Sequence, residues 1–172
     1  SLEGEKSTME VDESVKETEL VTEPAAIENV VREVAEQLLS LLKVPATIEV
    51  KQAPDNETPI ALEINGDDPG ILIGRRGQTL SALQYMINFI ASRKCKTGIR
   101  VIVDVAGYRK RRQDELENTA LRVAELVKSK HRPITLEPML AWERRAVHIA
   151  LRDDVEVNTG SVGFGDRRKV VI

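Results

Sequence analysis

The 172-residue chain has little of what several protein classes require. Its one cysteine, Cys95, excludes an internal disulfide, and with only His131 and His148 beside it no zinc-ligand spacing can be assembled. A lone unpaired thiol is typical of a reducing compartment, so we expect a cytoplasmic protein. No apolar run approaches the roughly 18 to 20 residues of a membrane span, and the acidic N-terminus is unlike a signal peptide. We therefore expect no membrane insertion.

Aromatic residues are also scarce: the chain has only Tyr85, Phe89, Tyr108, Trp142 and Phe164. Modules that read single strands by stacking bases on an aromatic sheet, such as RRM and cold-shock folds, depend on more of them. The G-x-x-x-x-G-K-[ST] run of a P-loop is absent as well. The sequence therefore predicts neither of these base-stacking folds nor NTP hydrolysis, and it predicts no cofactor.

Charged residues are abundant but unevenly distributed. The formal net charge of -3 comes from 25 Lys and Arg against 28 Asp and Glu. Residues 1–24 hold eight acids and two bases, so the other 148 residues carry 23 bases and 20 acids. Residues 75–112 hold ten bases and one acid. This asymmetry indicates an anionic partner for the central segment.

Residues 1–24 are interpreted as a disordered acidic tail or linker, because they have no apolar periodicity that could offset the entropy of ordering. Thr18 and Thr22 lie among glutamates and are candidate phosphate acceptors, although a plain solvated linker explains the same pattern. The chain begins Ser1-Leu2 without Met, which indicates a cloning scar or the cut edge of a longer protein.

Residues 25–107 read as one small module. Apolar residues at helical spacing predict a helix from Pro24 to Lys43. Two β-like runs, 47–52 and 60–64, flank the turn-rich residues 54–56 and predict a hairpin. A short helical turn at 68–73, a glycine loop at 74–77, a helix at 78–92 and a strand at 99–105 follow. The predicted order is α-β-β-α-α-β.

Residues 108–172 read as a second module, with the boundary at Gly107 to Arg109. A long helix is predicted from Arg109 to Lys130, then a short strand at 134–136. Pro138 fits the first turn of a helix that runs to about Leu151. Closing strands are expected at 155–159 and 169–172, around a loop at 160–165. The predicted order is α-β-α-β-β, and the whole chain is predicted to be α+β.

The glycine loop is the first candidate site. Gly74 and Gly77 lie three apart at the start of a helix, where unpaired N–H groups carry a partial positive charge and glycine lets an anion approach. Arg75 and Arg76 between them add two full charges. A tight structural turn is the alternative reading. The surrounding β-α-GxxG-α-β order favours the KH arrangement, in which such a loop clamps the backbone of about four nucleotides.

The second candidate site is a helix face. Arg144 and His148 are four residues apart, so they share one face, and Arg152 extends it by a turn. Cationic groups at about 6 Å intervals match successive phosphates of an extended strand.

Ordinary structural roles compete with this interpretation. A satisfied structural histidine explains His148 alone, and an ion pair with Glu143 or Asp153 explains Arg144. Trp142 is interpreted as an anchor that packs the helix on its sheet rather than as a base-stacking platform. Paired carboxylates or a metal cluster near His148 are lacking, so no catalytic and no metal-binding residue is predicted.

The two candidate sites together resemble the Jag (KhpB/EloR, SpoIIIJ-associated) family of bacterial RNA-binding proteins, which join a KH domain to an R-three-H (Arg-x-x-x-His) domain. The resemblance covers about residues 25–172. It rests on Ile73-Gly74-Arg75-Arg76-Gly77-Gln78-Thr79-Leu80-Ser81-Ala82-Leu83-Gln84-Tyr85, Asp104-Val105-Ala106-Gly107-Tyr108-Arg109, Leu136-Glu137-Pro138-Met139 and Glu143-Arg144-Arg145-Ala146-Val147-His148.

The resemblance implies a type II KH domain, binding of single-stranded RNA, and a small single-KH (KhpA-like) partner or a homodimer. It also implies post-transcriptional control linked to cell elongation and division. The expected RNA-binding residues, from the resemblance and from charge, are Gly74, Arg75, Arg76, Gly77, Arg109, Lys110, Arg111, Arg112, Arg144, Arg145, His148 and Arg152.

Two features depart from the family pattern. Many members carry a further small N-terminal domain, so functions of that domain cannot be transferred to this chain. In the last loop, Val162 and Phe164 stand where acidic character is usual, and Phe164 is expected either to stack on a base or to fill the core.

Two other functions remain as alternatives. One is a protein-interaction adaptor whose KH module mediates dimerisation, for which residues 25–43 or 78–92 would expose apolar positions. The other is a nuclease, which the lack of catalytic groups disfavours.

Overall fold

A computed structural model describes residues 23–51 and 58–172 of the chain. The acidic tail, with Thr18 and Thr22, and the predicted turn at 54–56 lie outside the described residues. Helices and strands follow the predicted order in both halves, so the α+β class is confirmed.

The first module contains helix α1 (Pro24–Leu41), strands β1 (Ala46–Lys51) and β2 (Ile60–Gly66), the short helix α2 (Pro69–Ile73), helix α3 (Gln78–Cys95) and strand β3 (Val101–Val105). The sheet order is β1-β2-β3, with β1 antiparallel and β3 parallel to β2. Pro24 opens α1, as its fixed φ suits a first turn.

Alternation along the strands explains where the first core forms. Ile60, Leu62 and Ile64 of β2 are buried, as are Val101, Val103 and Val105 of β3, because side chains two residues apart share a face. Helices α1 and α3 cover this face with buried residues at helical spacing, and Cys95 at the end of α3 is fully buried. Neither α1 nor α3 covers the opposite face of the sheet.

The second module contains helix α4 (Tyr108–Lys130), strand β4 (Thr135–Pro138), helix α5 (Ala141–Ala150) and strands β5 (Gly160–Val162) and β6 (Lys169–Val171). Its sheet is antiparallel, with the order β4-β6-β5. A separate core forms between α4, α5 and this sheet, around Leu116, Ala120, Val147 and Val170.

Most boundaries differ from the sequence predictions by one to three residues, and two predictions in the second module need correction. Pro138 ends β4 and pairs with Lys169, so α5 begins three residues later than predicted. The predicted strand at 155–159 is wrong: β5 lies within the predicted loop, at Gly160–Val162. The segment before it forms turns because the Asp154 carboxylate accepts the N–H of Glu156 at 3.1 Å, which leaves Val155 almost fully exposed.

Candidate nucleic-acid interface

The backbone of the glycine loop, residues 74–77, adopts left-handed conformations that glycine accepts without strain. Gly74, Arg76 and Gly77 all have positive φ, at 68°, 52° and 76°. A Cβ at Gly74 would lie 2.0 Å from Oγ1 of Thr79, and one at Gly77 would lie 2.9 Å from Cε1 of Tyr108. The loop therefore turns tightly into the N-terminus of α3, where backbone N–H groups are free of helical partners.

The two loop arginines have different surroundings. Arg75 is exposed, and its side chain makes no hydrogen bond or ion pair with any residue of 23–51 and 58–172. Nη2 of Arg76 lies 2.5 Å from Oε2 of Glu137, on β4 of the second module. The loop is thus tied to the second module through one arginine, while the other is available to a ligand.

Arg109 at the start of α4 is committed to contacts within the protein. Its Nε donates to the Val103 carbonyl at 2.8 Å, and its Nη2 donates to Oε1 of Gln84 at 2.7 Å, both in the first module. Its guanidinium also lies 5.4 Å from the ring centre of Trp142 on α5. Burial lowers the pKa of Arg109. This arginine joins the two modules rather than facing solvent.

Arg112, about one helical turn after Arg109, also forms contacts within the protein. Its Nε donates to Oε1 of Glu143 at 2.7 Å, and Glu143 is fully buried. Burial would lower the pKa of Arg112, but the hydrogen bond and the charge of Glu143 raise it overall. The other carboxylate oxygen of Glu143 accepts the Leu140 N–H at 2.7 Å and caps α5. We call Arg109, Arg112, Trp142 and Glu143 the clasp.

The remaining bases of this cluster stay at the surface. Lys110 is exposed and forms an ion pair with Asp114 at 2.7 Å, which raises the pKa of Lys110. Arg111 is exposed, and its Nη1 donates to the Ala106 carbonyl. The prediction that all four bases form one RNA surface therefore needs correction: Lys110 and Arg111 keep that role as a prediction, whereas Arg109 and Arg112 are held in the clasp.

On α5, Arg144 and His148 share one face and contact one hydroxyl. Ser161 Oγ, on β5, lies 3.3 Å from Nη1 of Arg144 and 3.0 Å from Nε2 of His148. Nδ1 of His148 lies 2.6 Å from Oγ1 of Thr159. Among the described residues, Nε of Arg144 is the buried side-chain polar atom without a hydrogen-bond partner. The alternative ion pairs of Arg144 are not formed, since Glu143 pairs with Arg112 and Asp153 with Arg152.

The face continues as a shallow groove of about 610 Å³, which we call the α5 groove. It is lined by Ala141, Trp142, Arg144, Arg145, His148, Ile149, Arg152 and Ser161. Arg145 is exposed, and Arg152 pairs only with its exposed neighbour Asp153, at 3.4 Å. The groove thus presents three arginines that can contact phosphate oxygens. Both ring nitrogens of His148 already contact hydroxyls of the protein, as in the structural role that was the alternative for this residue.

A larger cleft of about 870 Å³ separates the glycine loop from the start of α5, and we call it the intermodule cleft. The first module contributes Arg75, Arg76, Gln78, Ser81, Ala82, Tyr85 and Met86. The second module contributes Pro138, Met139, Leu140, Ala141, Glu143, Arg144, Gly165 and Asp166. Arg144 lines both the cleft and the α5 groove, so the two sequence-predicted sites are continuous.

Several other expectations concern isolated features. Phe164 is 90% exposed, so it does not fill the core. Trp142 is half-buried, with the Arg109 guanidinium over its ring, and it lines the α5 groove; it is not among the residues that form the second core. Within residues 23–51 and 58–172 there is no group of three potential metal-ligating His, Cys, Asp or Glu residues. In the same residues no helix has the length and apolarity that crossing a bilayer requires.

Sequence reasoning missed the partners of the predicted residues. Glu143 is 31 positions from Arg112, Glu137 is distant from Arg76, and Ser161 is 17 positions from Arg144, so no local spacing connects them. One signal was available for Glu143: a glutamate three residues after the N-cap position is typical of a helix start.

Comparison with known proteins matches each module to a described family. Residues 28–105 match the KH-domain model of KhpA/KhpB, and residues 114–172 match the R-three-H domain model. An RNA-binding protein KhpB of Clostridium symbiosum is 41% identical over 142 residues, which are 81% of this chain and 63% of that protein. One of Bacillus subtilis is 32% identical over 120 residues, 69% of this chain and 58% of that protein. The chain thus spans about three fifths of the length of these relatives.

Proposed function

The chain belongs to the KhpB family, whose members join a KH domain to an R-three-H domain, and from that premise we propose that it binds single-stranded RNA across both modules. The observation that carries the proposal is the continuity of the glycine loop with the Arg144 and His148 face through the intermodule cleft. Both ends of this surface offer groups suited to phosphate.

Electrostatics support the proposal. At the loop, Arg75 adds a full charge to the partial positive charge of the α3 N-terminus. At the other end, the α5 groove presents Arg144, Arg145 and Arg152. Contacts of this kind hold a nucleic-acid backbone without regard to sequence, so most of the affinity is expected to depend on salt.

The homologues are RNA-binding proteins with KH and R-three-H domains, and neither domain has enzymatic activity. The finer parts of the proposal follow from the family resemblance. They are a role in post-transcriptional control tied to cell elongation and division, a cytoplasmic location, and pairing with a small single-KH protein or a second copy of the chain.

The test reverses the loop charges with Arg75→Asp and Arg76→Asp. RNA affinity is expected to fall on any sequence, and the slope of log affinity against log salt is expected to flatten by roughly one per lost phosphate contact. Fluorescence anisotropy with a labelled homopolymer at several salt concentrations measures both.

A matched control makes the same change of charge with Arg122→Glu and Arg132→Glu, both exposed and outside the cleft and groove. Circular dichroism should show that both variants remain folded. The proposal is wrong if the loop variant and the control have the same affinity and salt slope.

The adaptor function remains a second candidate because α3 exposes apolar side chains. Tyr85, Met86 and Phe89 are 67%, 42% and 48% exposed. Sedimentation of the chain with and without a single-KH protein tests it: association that survives the loop charge reversal, without RNA binding by the unaltered chain, would favour the adaptor.

A further inference from the structure

The intermodule cleft contains an aromatic ring that phosphate binding does not explain. Tyr85 lines the cleft and is 67% exposed on the outer face of α3. One and two helical turns further along α3, Phe89 and Arg93 continue this face without lining the cleft. An exposed ring among arginines at the edge of a cleft is the type of surface on which an unpaired base stacks.

The ring of Tyr85 is held before any ligand arrives. It stacks on Phe89 with ring centres 6.2 Å apart and an interplanar angle of 14°, and the guanidinium of Arg93 lies 5.7 Å from the Phe89 ring. A side chain restrained in this way loses less conformational entropy when a base binds. The ring nevertheless stays accessible, since Tyr85 lines the cleft and is 67% exposed.

The cations of the cleft lie at its two walls. Arg75 and Arg76 come from the loop, and Arg144 comes from α5. Of the acids in the lining, Glu143 is fully buried and paired with Arg112, so Asp166 is the exposed carboxylate among the lining residues. The cleft therefore favours an anion that carries a flat apolar group, which describes a nucleotide.

The size and rigidity of the cleft agree with this occupant. Its volume of about 870 Å³ is within the range of small-molecule sites, roughly 300 to 1,000 Å³. The clasp and the contact between Arg76 and Glu137 connect its two walls. Both modules are needed to form it.

We propose that the intermodule cleft binds one nucleotide of the RNA strand, with the base stacked on Tyr85 and the flanking phosphates contacting Arg75 of the loop and Arg144. This rests on the proposed single-strand RNA binding and adds a stacking residue and a shared subsite to it. The nucleotide in the cleft is the point at which the strand passes from one module to the other.

The experiment compares Tyr85→Leu with Phe89→Leu. Both residues are exposed and stack on each other, but only Tyr85 lines the cleft, so Phe89→Leu removes the support of the ring without removing the stacking surface and should cause a clearly smaller loss of affinity. Tyr85→Leu is expected to weaken binding of a labelled 12-nucleotide homopolymer about tenfold, since it removes the aromatic surface on which one base stacks. Its salt slope should be unchanged because no cation is lost.

Two further measurements separate stacking from a structural role. Tyr85→Phe should retain most of the affinity, because it keeps the ring. Ultraviolet crosslinking to RNA containing 4-thiouridine should modify the tryptic peptide of residues 77–93 at Tyr85.

The outcomes distinguish this proposal from the one on which it rests. Unchanged affinity of Tyr85→Leu, while reversal of the loop charges abolishes binding, would overturn the cleft subsite and leave RNA binding in place. Equal losses for Tyr85→Leu and Phe89→Leu, accompanied by a smaller sedimentation coefficient, would identify the α3 face as a protein interface and also overturn it. If the variant with Arg75→Asp and Arg76→Asp bound RNA normally, both the cleft subsite and the proposed RNA binding would be wrong.

Discussion

The carboxylate of Glu143 is fully buried, and its two hydrogen bonds offset the free-energy cost of removing this charge from water. Burying a charge is costly unless a partner and additional hydrogen bonds compensate it. Arg112 supplies the charge, and the Leu140 N–H supplies the second bond. The same carboxylate therefore caps α5 and joins that helix to α4.

Removing the arginine should therefore cost more than an ordinary ion pair. Arg112→Met leaves the Glu143 charge buried and uncompensated, and we expect the free energy of unfolding to fall by about 3–5 kcal/mol. Lys110→Met removes an exposed, solvent-screened pair on the same helix and should have a much smaller effect. Urea unfolding followed by circular dichroism measures both.

A double variant tests the interpretation. Arg112→Met with Glu143→Leu removes both charges, so much of the lost stability should return, apart from about 1 kcal/mol for the Leu140 hydrogen bond. Equal costs for Arg112→Met and Lys110→Met would show that the buried pair contributes nothing in solution.

For single residues, the sequence predicts which side chains are functional candidates better than it predicts the partners that those side chains contact. The glycine loop before α3 and the shared face of Arg144 and His148 follow from local spacing, and both are found. The roles of Arg109 and Arg112 do not, because a run of four bases looks the same whether its partners are phosphates or distant carboxylates and carbonyls of the chain.

Among the elements, the segment between α5 and β5 shows how tertiary contacts override a local pattern. Alternating apolar and polar residues at 155–159 predict a strand, but the Nζ of Lys128 on α4 reaches Asp154 at 2.7 Å and Glu156 at 3.5 Å. The segment turns instead, and Thr159 and Ser161 then lie against His148. Strand positions in the first module were predicted to within about two residues. Burial of one or both faces of each strand leaves a clear apolar pattern in the sequence.

The contact with Lys128 predicts a pH dependence. The hydrogen bond from Lys128, with that from the Glu156 N–H, lowers the pKa of Asp154 below its ordinary 3.8. A carboxyl with a depressed folded-state pKa stabilises the fold above the unfolded pKa, and this contribution disappears as pH falls through the folded value. Asp154→Asn should therefore lower the melting temperature at neutral pH and have little effect in strong acid.

Asp153→Asn is the control for this measurement, since the Asp153 side chain is 87% exposed and its ion pair is with exposed Arg152. Differential scanning calorimetry from pH 2 to pH 7 covers the range. A melting-temperature difference between Asp154→Asn and the unaltered chain that stays constant across this range would contradict the assigned contact.

The whole molecule consists of two cores connected mainly by polar groups. The first core lies between α1, α3 and the mixed sheet, and the second lies between α4, α5 and the antiparallel sheet. Each core was predictable from apolar periodicity within its own segment. Their relative arrangement was not, because it depends on single long-range contacts such as those of Arg76 with Glu137 and of Arg109 with Gln84.

This division also gives each module its own natural reporter of local opening. The chain's one cysteine, Cys95, is in the first core, where burial raises the pKa of its thiol, and its one tryptophan, Trp142, is on α5. Thiol labelling in denaturant should therefore follow the opening of the first core, while tryptophan fluorescence follows the second. Because Arg109 contacts Gln84 in the first module and Trp142 in the second, the two signals should change together in the unaltered chain and at different urea concentrations in Arg109→Met. Unfolding of each half is thus measurable without adding a label to the sequence.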